Sequence, residues 1–251
     1  MSDRLKVLRE SVQHLNDVAS NLDPADYTSS AYPSEWTIAQ TYSHLGSGAV
    51  IGQRRFEDSL AQRDSDPTFN TSVWDEWNAK EPASQVADSL KSDAALLATL
   101  ESSTQDERDA FQLMMGPFAF DFDGFVGLRL GEHVLHTWDV EVPAKPQATL
   151  PNDAANAILD GIQFVVARTG KPTGEKKNVT IRTSEPVRDF TLKLDADAVE
   201  LIETSHDGVV DLEIPAEAFV RLIYGRLDAE HTPAAVPEDV VDELRQVFPG
   251  F

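Results

Sequence analysis

Leu5, Leu8, Val12, Leu15 and Val18 recur at steps of three and four residues, with Leu22 beyond, which predicts an amphipathic helix at the start of the chain. A stretch rich in Pro, Ser and Asp, from Asn21 to Glu35, reads as a loop. Thr37 with Gln40 three residues later makes a capping box, and the helix it opens is predicted to continue past Phe56 to about Leu60. Asp64 to Pro82 is loop-like, with Trp74 and Trp77 expected to pack over the helices. A third helix follows Pro82 with Val86, Leu90, Leu97 and Leu100 on one face, and a fourth runs from about Phe122 to Val140. Four helices with one long connection predict a bundle.

The texture then changes. Glu141 to Pro151 (EVPAKPQATLP) holds three prolines and reads as a linker. Beyond it come a predicted helix from Asn152 to about Thr169, stopped at Gly170, and four alternating or β-branched runs. These are Val179–Thr183, Asp189–Asp195, Ala198–Thr204 and Val209–Ile214, parted by Glu-Pro, Asp-Ala and Asp-Gly turns. Two helices close the chain, one opened by Pro215 and ended at Gly225, the other after Pro237. The expected fold class is α+β in two domains: a four-helix bundle over residues 1–143 and an α+β domain over 150–251. No internal repeat or low-complexity tract interrupts either half.

Composition changes this picture in three ways. At 251 residues, 41% hydrophobic and 25% charged, the chain can bury a substantial core. Against 43 acidic residues stand 21 basic ones, for a net charge of −22, a field that repels phosphate backbones and anionic lipids and argues against nucleic acid or membrane partners. No apolar run reaches the roughly 18 residues that cross a bilayer, and MSDRLKVLRESVQHL lacks the apolar core of an export signal, so the expected compartment is the cytoplasm. The chain has no cysteine. Any metal must therefore be held by His, Asp or Glu, and any thiol chemistry must use a small-molecule thiol. An anionic substrate would need a local cationic patch against this acidic field, which makes arginines near a pocket worth noting.

The fourth helix carries the chemistry. In RLGEHVLHTWD, Phe125, Arg129, Glu132, His136 and Asp139 share one face, beside an apolar stripe of Leu128, Leu135 and Trp138 with Gly131 among them. Polar and apolar stripes side by side suit a bundle with a polar site inside it. Glu132 and His136, four apart, can present an oxygen and an imidazole nitrogen to one cation, at about 2.0–2.2 Å for zinc. The third ligand is expected to be His44, inside the capped second helix in WTIAQTYSHL. Two His and one carboxylate with positions left open is a catalytic arrangement, because water or substrate can enter. Two readings compete. Glu and His four apart are also a common surface pair, and His133 would pair with His136 in place of Glu132 but lies about 100° around the helix from it. His14, His206 and His231 read as solvated or hydrogen-bonded histidines.

The two segments EWTIAQTYSHLG (Glu35 to Gly46) and RLGEHVLHTWDVEVP (Arg129 to Pro143) resemble the DinB-like metal-binding bundle, and more narrowly the mycothiol-dependent maleylpyruvate isomerase family. The resemblance covers most of the chain, since that family also carries a C-terminal sterol-carrier-like α+β domain. It implies a zinc held by His44, Glu132 and His136 and mycothiol as thiol cosubstrate, with the metal lowering the thiol pKa. In the isomerase the thiolate adds to the cis double bond of maleylpyruvate, the bond rotates, and elimination gives fumarylpyruvate. Other members of the family transfer the thiol to different electrophiles. RLIYGR, Arg221 to Arg226, resembles the family's arginine-bearing helix end, so Arg226 is expected to hold a carboxylate of substrate or thiol. It equally suits a helix C-terminus. Arg129 is expected to orient Glu132 or meet substrate, or to serve as a buried ion-pair partner, and Asp139 to accept the His136 N–H or to be a plain helix-end residue.

The leading expectation is thus a zinc- and mycothiol-dependent isomerase or thiol S-transferase, a monomer or small homo-oligomer whose partners are a small-molecule thiol and an electrophilic substrate. Arg54 and Arg55 are compatible with the dicarboxylate of the isomerase without requiring it. The alternatives are a non-catalytic small-molecule binding module whose metal is structural, which a three-ligand site argues against, and a metal-assisted hydrolase.

Overall fold

The N-terminal stripe forms α1 (Asp3–Asn21), which buries Leu5, Leu8, Val12 and Leu15. A single 3-10 turn, Pro24–Thr28, capped by the Asp23 side chain on Ala25 N–H, lies inside the predicted loop. These features belong to a computed structural model that describes residues 3–32, 35–64 and 66–250. Pro33, Ser34 and Ser65, parts of predicted loops, lie outside the described residues. The chain divides into two compact units, Met1–Lys145 and Pro146–Phe251. It is an α+β protein of two domains, and no described helix is long and apolar enough to cross a membrane.

In the first unit α2 (Ile38–Leu60) begins at Thr37, as its capping box requires. The segment expected to be loop contains a helix, α3 (Phe69–Asn78). Val73 and Trp77, four apart, are its buried residues and supply the drive that the polar sequence around them conceals, while Trp74 stays exposed. Next come α4 (Pro82–Ser102), α5 (Gln105–Ala110), a hairpin of β1 (Leu113–Met115) and β2 (Phe118–Phe120), and α6 (Phe122–Glu141). The four long helices are α1, α2, α4 and α6, with α2 against α4 and α1 against α6. All four tryptophans, at 36, 74, 77 and 138, belong to this unit.

The buried face of α4 is Val86, Ser89, Asp93, Leu96 and Leu100. Leu96 takes the place expected of Leu97, and a serine and an aspartate stand among the apolar residues. Where α2 crosses α4 the backbones approach closely at Gly46: a Cβ there would lie 2.3 Å from Trp77 Cη2 and 2.7 Å from Ser89 Cα. The Trp77 ring and the α4 backbone cannot both give way. Gly46→Ala is expected to destabilise this unit by about 1–3 kcal/mol through overpacking. Urea unfolding of the variant checks it, and an unchanged midpoint would mean the helices slide apart freely.

The second unit starts with α7 (Asn152–Leu159) and α8 (Ile162–Thr169). One continuous helix was expected here; Asp160 and Gly161 break it, Gly161 having left helical backbone angles at φ −121 ψ 7. A four-stranded sheet follows, β3 (Lys177–Ser184), β4 (Arg188–Leu194), β5 (Val199–Thr204) and β6 (Leu212–Pro215), in the order β5-β4-β3-β6. The pairs β3–β4 and β4–β5 are antiparallel, while β6 joins β3 in parallel, Ile181 opposite Leu212. Val179, Ile181, Phe190, Leu192, Leu201, Leu212 and Ile214 are buried, alternating with more open residues as a sheet covered on one face demands. Helices α8 and α9 (Ala216–Ile223) lie against it, and α10 (Glu238–Val247) ends the chain. Gly225, just past α9, has φ +70 and sits so close to Gly250 that a Cβ would come within 2.3 Å of its Cα. Both conditions leave glycine as the only fit.

Candidate metal centre

Two helix starts fix the site. In α2 the Thr37 hydroxyl accepts from Gln40 N–H at 3.2 Å while the Gln40 side chain accepts from Thr37 N–H at 2.9 Å, so the helix begins at one residue and His44 falls two turns in. In α6 Asp121 accepts from Gly124 N–H at 2.8 Å, and Glu132 and His136 project from one face three turns further on. The helices bring the three side chains together. His44 Nε2 lies 3.1 Å and His136 Nε2 3.6 Å from the same Glu132 Oε2, and the two rings are 4.7 Å apart at 68°. One ligand atom from each residue falls within 4.8 Å of the others, the only such group of His, Asp and Glu among the described residues.

The electrostatics suit a cation. Burial resists ionisation of Glu132, but hydrogen bonds and charge from His136 and His44 outweigh it and hold its carboxyl well below the ordinary glutamate range. Glu132 is therefore an anion at neutral pH. Its side chain keeps 46% of its surface open, so the cluster is approached from solvent. His136 is nearly sealed and its Nδ1 lies 2.8 Å from buried Asp139. A carboxylate only accepts, so Nδ1 carries the proton and Nε2 turns toward Glu132 and His44. Burial disfavours the imidazolium, yet Asp139 and Glu132 together raise the His136 pKa above the ordinary histidine value. Trp36, 37% exposed, stacks on the His136 ring at 5.8 Å and 27° and lies 5.0 Å from the His44 ring, forming an aromatic wall on one side.

Two imidazoles and a carboxylate without a thiolate are a donor set that suits zinc and its first-row neighbours. The observed convergence of Nε2, Nε2 and Oε2, with Asp139 behind one imidazole, fits such an ion.

The other expected residues each have partners of their own. His133 is fully buried with Nδ1 2.8 Å from Ser11 Oγ, on the side of α6 away from the cluster, so Glu132 is the helix residue that joins it. Arg129 is buried in an ion pair with Asp93 and donates to the Leu45 carbonyl at 2.9 Å. Arg54 pairs with Asp58 at 2.6 Å, and burial lowers the pKa of Arg55. In the second unit Arg226 is buried and donates to the Tyr224 carbonyl at 2.7 Å. His14 pairs with Glu141, His231 with Asp228, and His206 packs among Thr191, Thr204 and the Phe190 carbonyl. Sequence reasoning missed Asp93 and the position of Trp36. The signal for Asp93 was present: it stands seven residues from both Val86 and Leu100, in phase with the buried stripe of α4.

A family model described as the mycothiol maleylpyruvate isomerase N-terminal domain matches residues 8–141, more than half of the chain. A search of curated proteins finds no match. Among solved structures, the mycothiol-dependent maleylpyruvate isomerase superposes with a TM-score of 0.66 at 14% identity, over 93% of this chain and 97% of that one. A histidine-to-alanine mutant of the same enzyme superposes with the same figures. At that identity the likeness speaks for the fold.

Proposed function

The chain belongs to the mycothiol maleylpyruvate isomerase N-terminal domain family, and from that membership we propose that it is a metal- and mycothiol-dependent enzyme that activates a small-molecule thiol for addition or transfer to an electrophile. What carries the reading is the convergence of His44, Glu132 and His136 on one point with their side open to solvent. The proposed ligands are those three, and the proposed metal is zinc.

A divalent cation held there would lower the pKa of a coordinating thiol and supply a thiolate near neutral pH. The chain's own residues do the rest. Glu132, already ionised, offers its oxygen without a proton to displace at neutral pH. Asp139 holds the His136 proton on Nδ1, which leaves the Nε2 lone pair for coordination. The Trp36 indole shields one side of both imidazoles from water. Asp139→Asn is expected to weaken zinc affinity by about 10- to 100-fold, the usual cost of removing the partner behind a ligand histidine. Competition against a chelator of known affinity measures it, and an unchanged Kd would remove Asp139 from the site.

Within the family reading, both isomerisation and thiol transfer stand. Maleylpyruvate is a dianion and needs cationic groups, whereas Arg54 and Arg129 are already committed to Asp58 and Asp93. That commitment keeps thiol transfer beside the isomerase reading, and Arg226, which the resemblance of RLIYGR singles out, is the arginine to test. Arg226→Ala is expected to leave metal content intact and to raise KM for thiol or substrate by about tenfold or more, the loss of one charged hydrogen bond. Unaltered kinetics would return Arg226 to a structural role.

The deciding experiment is a screen of zinc-loaded protein with mycothiol and candidate electrophiles, starting with maleylpyruvate, alongside the cobalt form titrated with thiol. Mycothiol-dependent turnover and a thiol-induced change in the cobalt spectrum are the expected results. Metal binding with no response to any thiol would point to a binding module instead, and turnover without thiol to a hydrolase. The cytoplasm is the proposed compartment, in keeping with a small-molecule thiol partner.

A further inference from the structure

Beneath the candidate metal site the bundle core contains a charged network that supplies neither a ligand nor a reacting group. Asp93 of α4, 1% exposed, is ion-paired with Arg129 of α6, 8% exposed. Asp93 Oδ2 also lies 3.6 Å from His133 Nε2, and His133 Nδ1 lies 2.8 Å from Ser11 Oγ of α1. The same Arg129 Nη2 donates to the Leu45 carbonyl of α2 at 2.9 Å. The Arg129 guanidinium and the Asp93 carboxylate thus tie α2, α4 and α6, and the His133 imidazole adds α1. Ser11, His133 and Asp93 are the residue types of a hydrolytic triad, yet all three are sealed in the core, so no substrate reaches the serine.

The attachment points give the network its meaning. Leu45 is the residue after His44, and His133 is the residue after Glu132. Arg129 stands one turn before Glu132, on the face that carries the cluster. The guanidinium therefore grips the α2 backbone beside one ligand from a position on the helix that bears the other two. Space has been left for the grip: Gly48 has no side chain, and a Cβ there would sit 3.0 Å from Arg129 Nη1. Burying such a pair yields little stability compared with an apolar core of equal volume, so stability is a weak reason for its presence. Directional hydrogen bonds fix one helix register where apolar packing tolerates several.

Resting on the metal reading above, we propose that Asp93 is a positioning residue of the metal centre: by orienting Arg129 onto the Leu45 carbonyl it sets the separation of His44 from Glu132 and His136. Asp93 touches neither metal nor substrate. It acts through the rigid spacing of α2 and α6, and a bundle without it would remain helical while presenting its three ligands less well.

The test uses the full-length protein loaded with cobalt, whose visible spectrum reports ligand geometry independently of turnover. Asp93→Asn keeps the shape and removes the charge, and Leu100→Ala, in the same buried stripe, destabilises the bundle without touching the network. Asp93→Asn is expected to shift the cobalt bands and weaken cobalt binding about tenfold, as loss of a ligand's support does, while Leu100→Ala keeps the wild-type spectrum and affinity. Should Asp93→Asn lose helix content, Gly48→Ala, which crowds the guanidinium and keeps every charge, is expected to give the same shift. Equal spectra in the Asp93 and Gly48 variants and wild type, or the same change in Leu100→Ala, would overturn the proposal. Wild-type protein that binds no cobalt would instead overturn the metal reading itself.

Discussion

Replacing His44 with alanine is expected to abolish tight metal binding and thiol-dependent turnover while leaving the bundle folded. Of the three proposed ligands, His44 is the one supplied by α2; without it Glu132 and His136 remain as a two-donor pair on one helix. Losing a ligand costs more than losing the group behind it, so affinity should fall by more than about 100-fold. Stability should barely change. The His44 side chain is 39% exposed, and its contact with the half-open Glu132 is screened by solvent, which puts its worth at about 0–1 kcal/mol. Glu132 keeps His136 as a partner. Metal analysis after dialysis, with calorimetry on the same sample, checks both halves. Full metal occupancy in the variant would refute the ligand assignment, and a collapsed melting transition would mean that the metal, rather than packing, holds the bundle.

The second large effect is expected at Arg129. Arg129→Met keeps the length of the side chain and removes the guanidinium from a carboxylate that is 1% exposed, and breaking a buried pair from one side costs about 3–5 kcal/mol. Against a total of about 5–15 kcal/mol for a domain, that is a severe loss. The pH dependence should also reverse. In the wild-type protein, burial resists ionisation of Asp93, but Arg129 and His133 prevail and hold its carboxyl below the ordinary range. Its stabilising contribution is complete above the ordinary carboxylate pKa and is lost as pH falls through the lowered folded value. Without Arg129, burial is expected to prevail over His133 and to raise the folded pKa above the unfolded one. Stability contributed by the protonated acid is then present at low pH and lost as pH climbs through the raised value. Urea midpoints at pH 5 and pH 7 should therefore show the variant recovering part of its deficit at the lower pH. Parallel pH profiles for variant and wild type would refute the buried-carboxylate account.

The contrast between His44 and Asp93 shows what the sequence made legible. A residue whose role rests on local spacing can be read directly: the Thr37–Gln40 capping box sets the start of α2, Glu132 and His136 share a face by helical period alone, and the alternating apolar residues mark all four strands of the second unit. A residue whose role rests on a distant partner cannot. Asp93 is in phase with the buried stripe of α4, but its partner Arg129 stands 36 positions away and no local pattern joins the two. The short helix α3 was hidden for the same reason. Its segment is polar apart from a few residues, and Trp77 earns its burial only where Gly46 leaves room for the ring. The break between α7 and α8 belongs to a third kind, in which an apolar pattern continues across a glycine that the backbone uses to turn.

Because every indole in the chain lies before residue 146, red-edge excitation sees one half of the molecule and leaves the other dark. Pro146–Phe251 holds one tyrosine, Tyr224, whose phenol does not absorb at the red edge. Emission and circular dichroism recorded on one denaturation series therefore separate the two halves without labels. If they follow a single curve the halves unfold together; if the emission curve departs from the ellipticity, each half has a stability of its own.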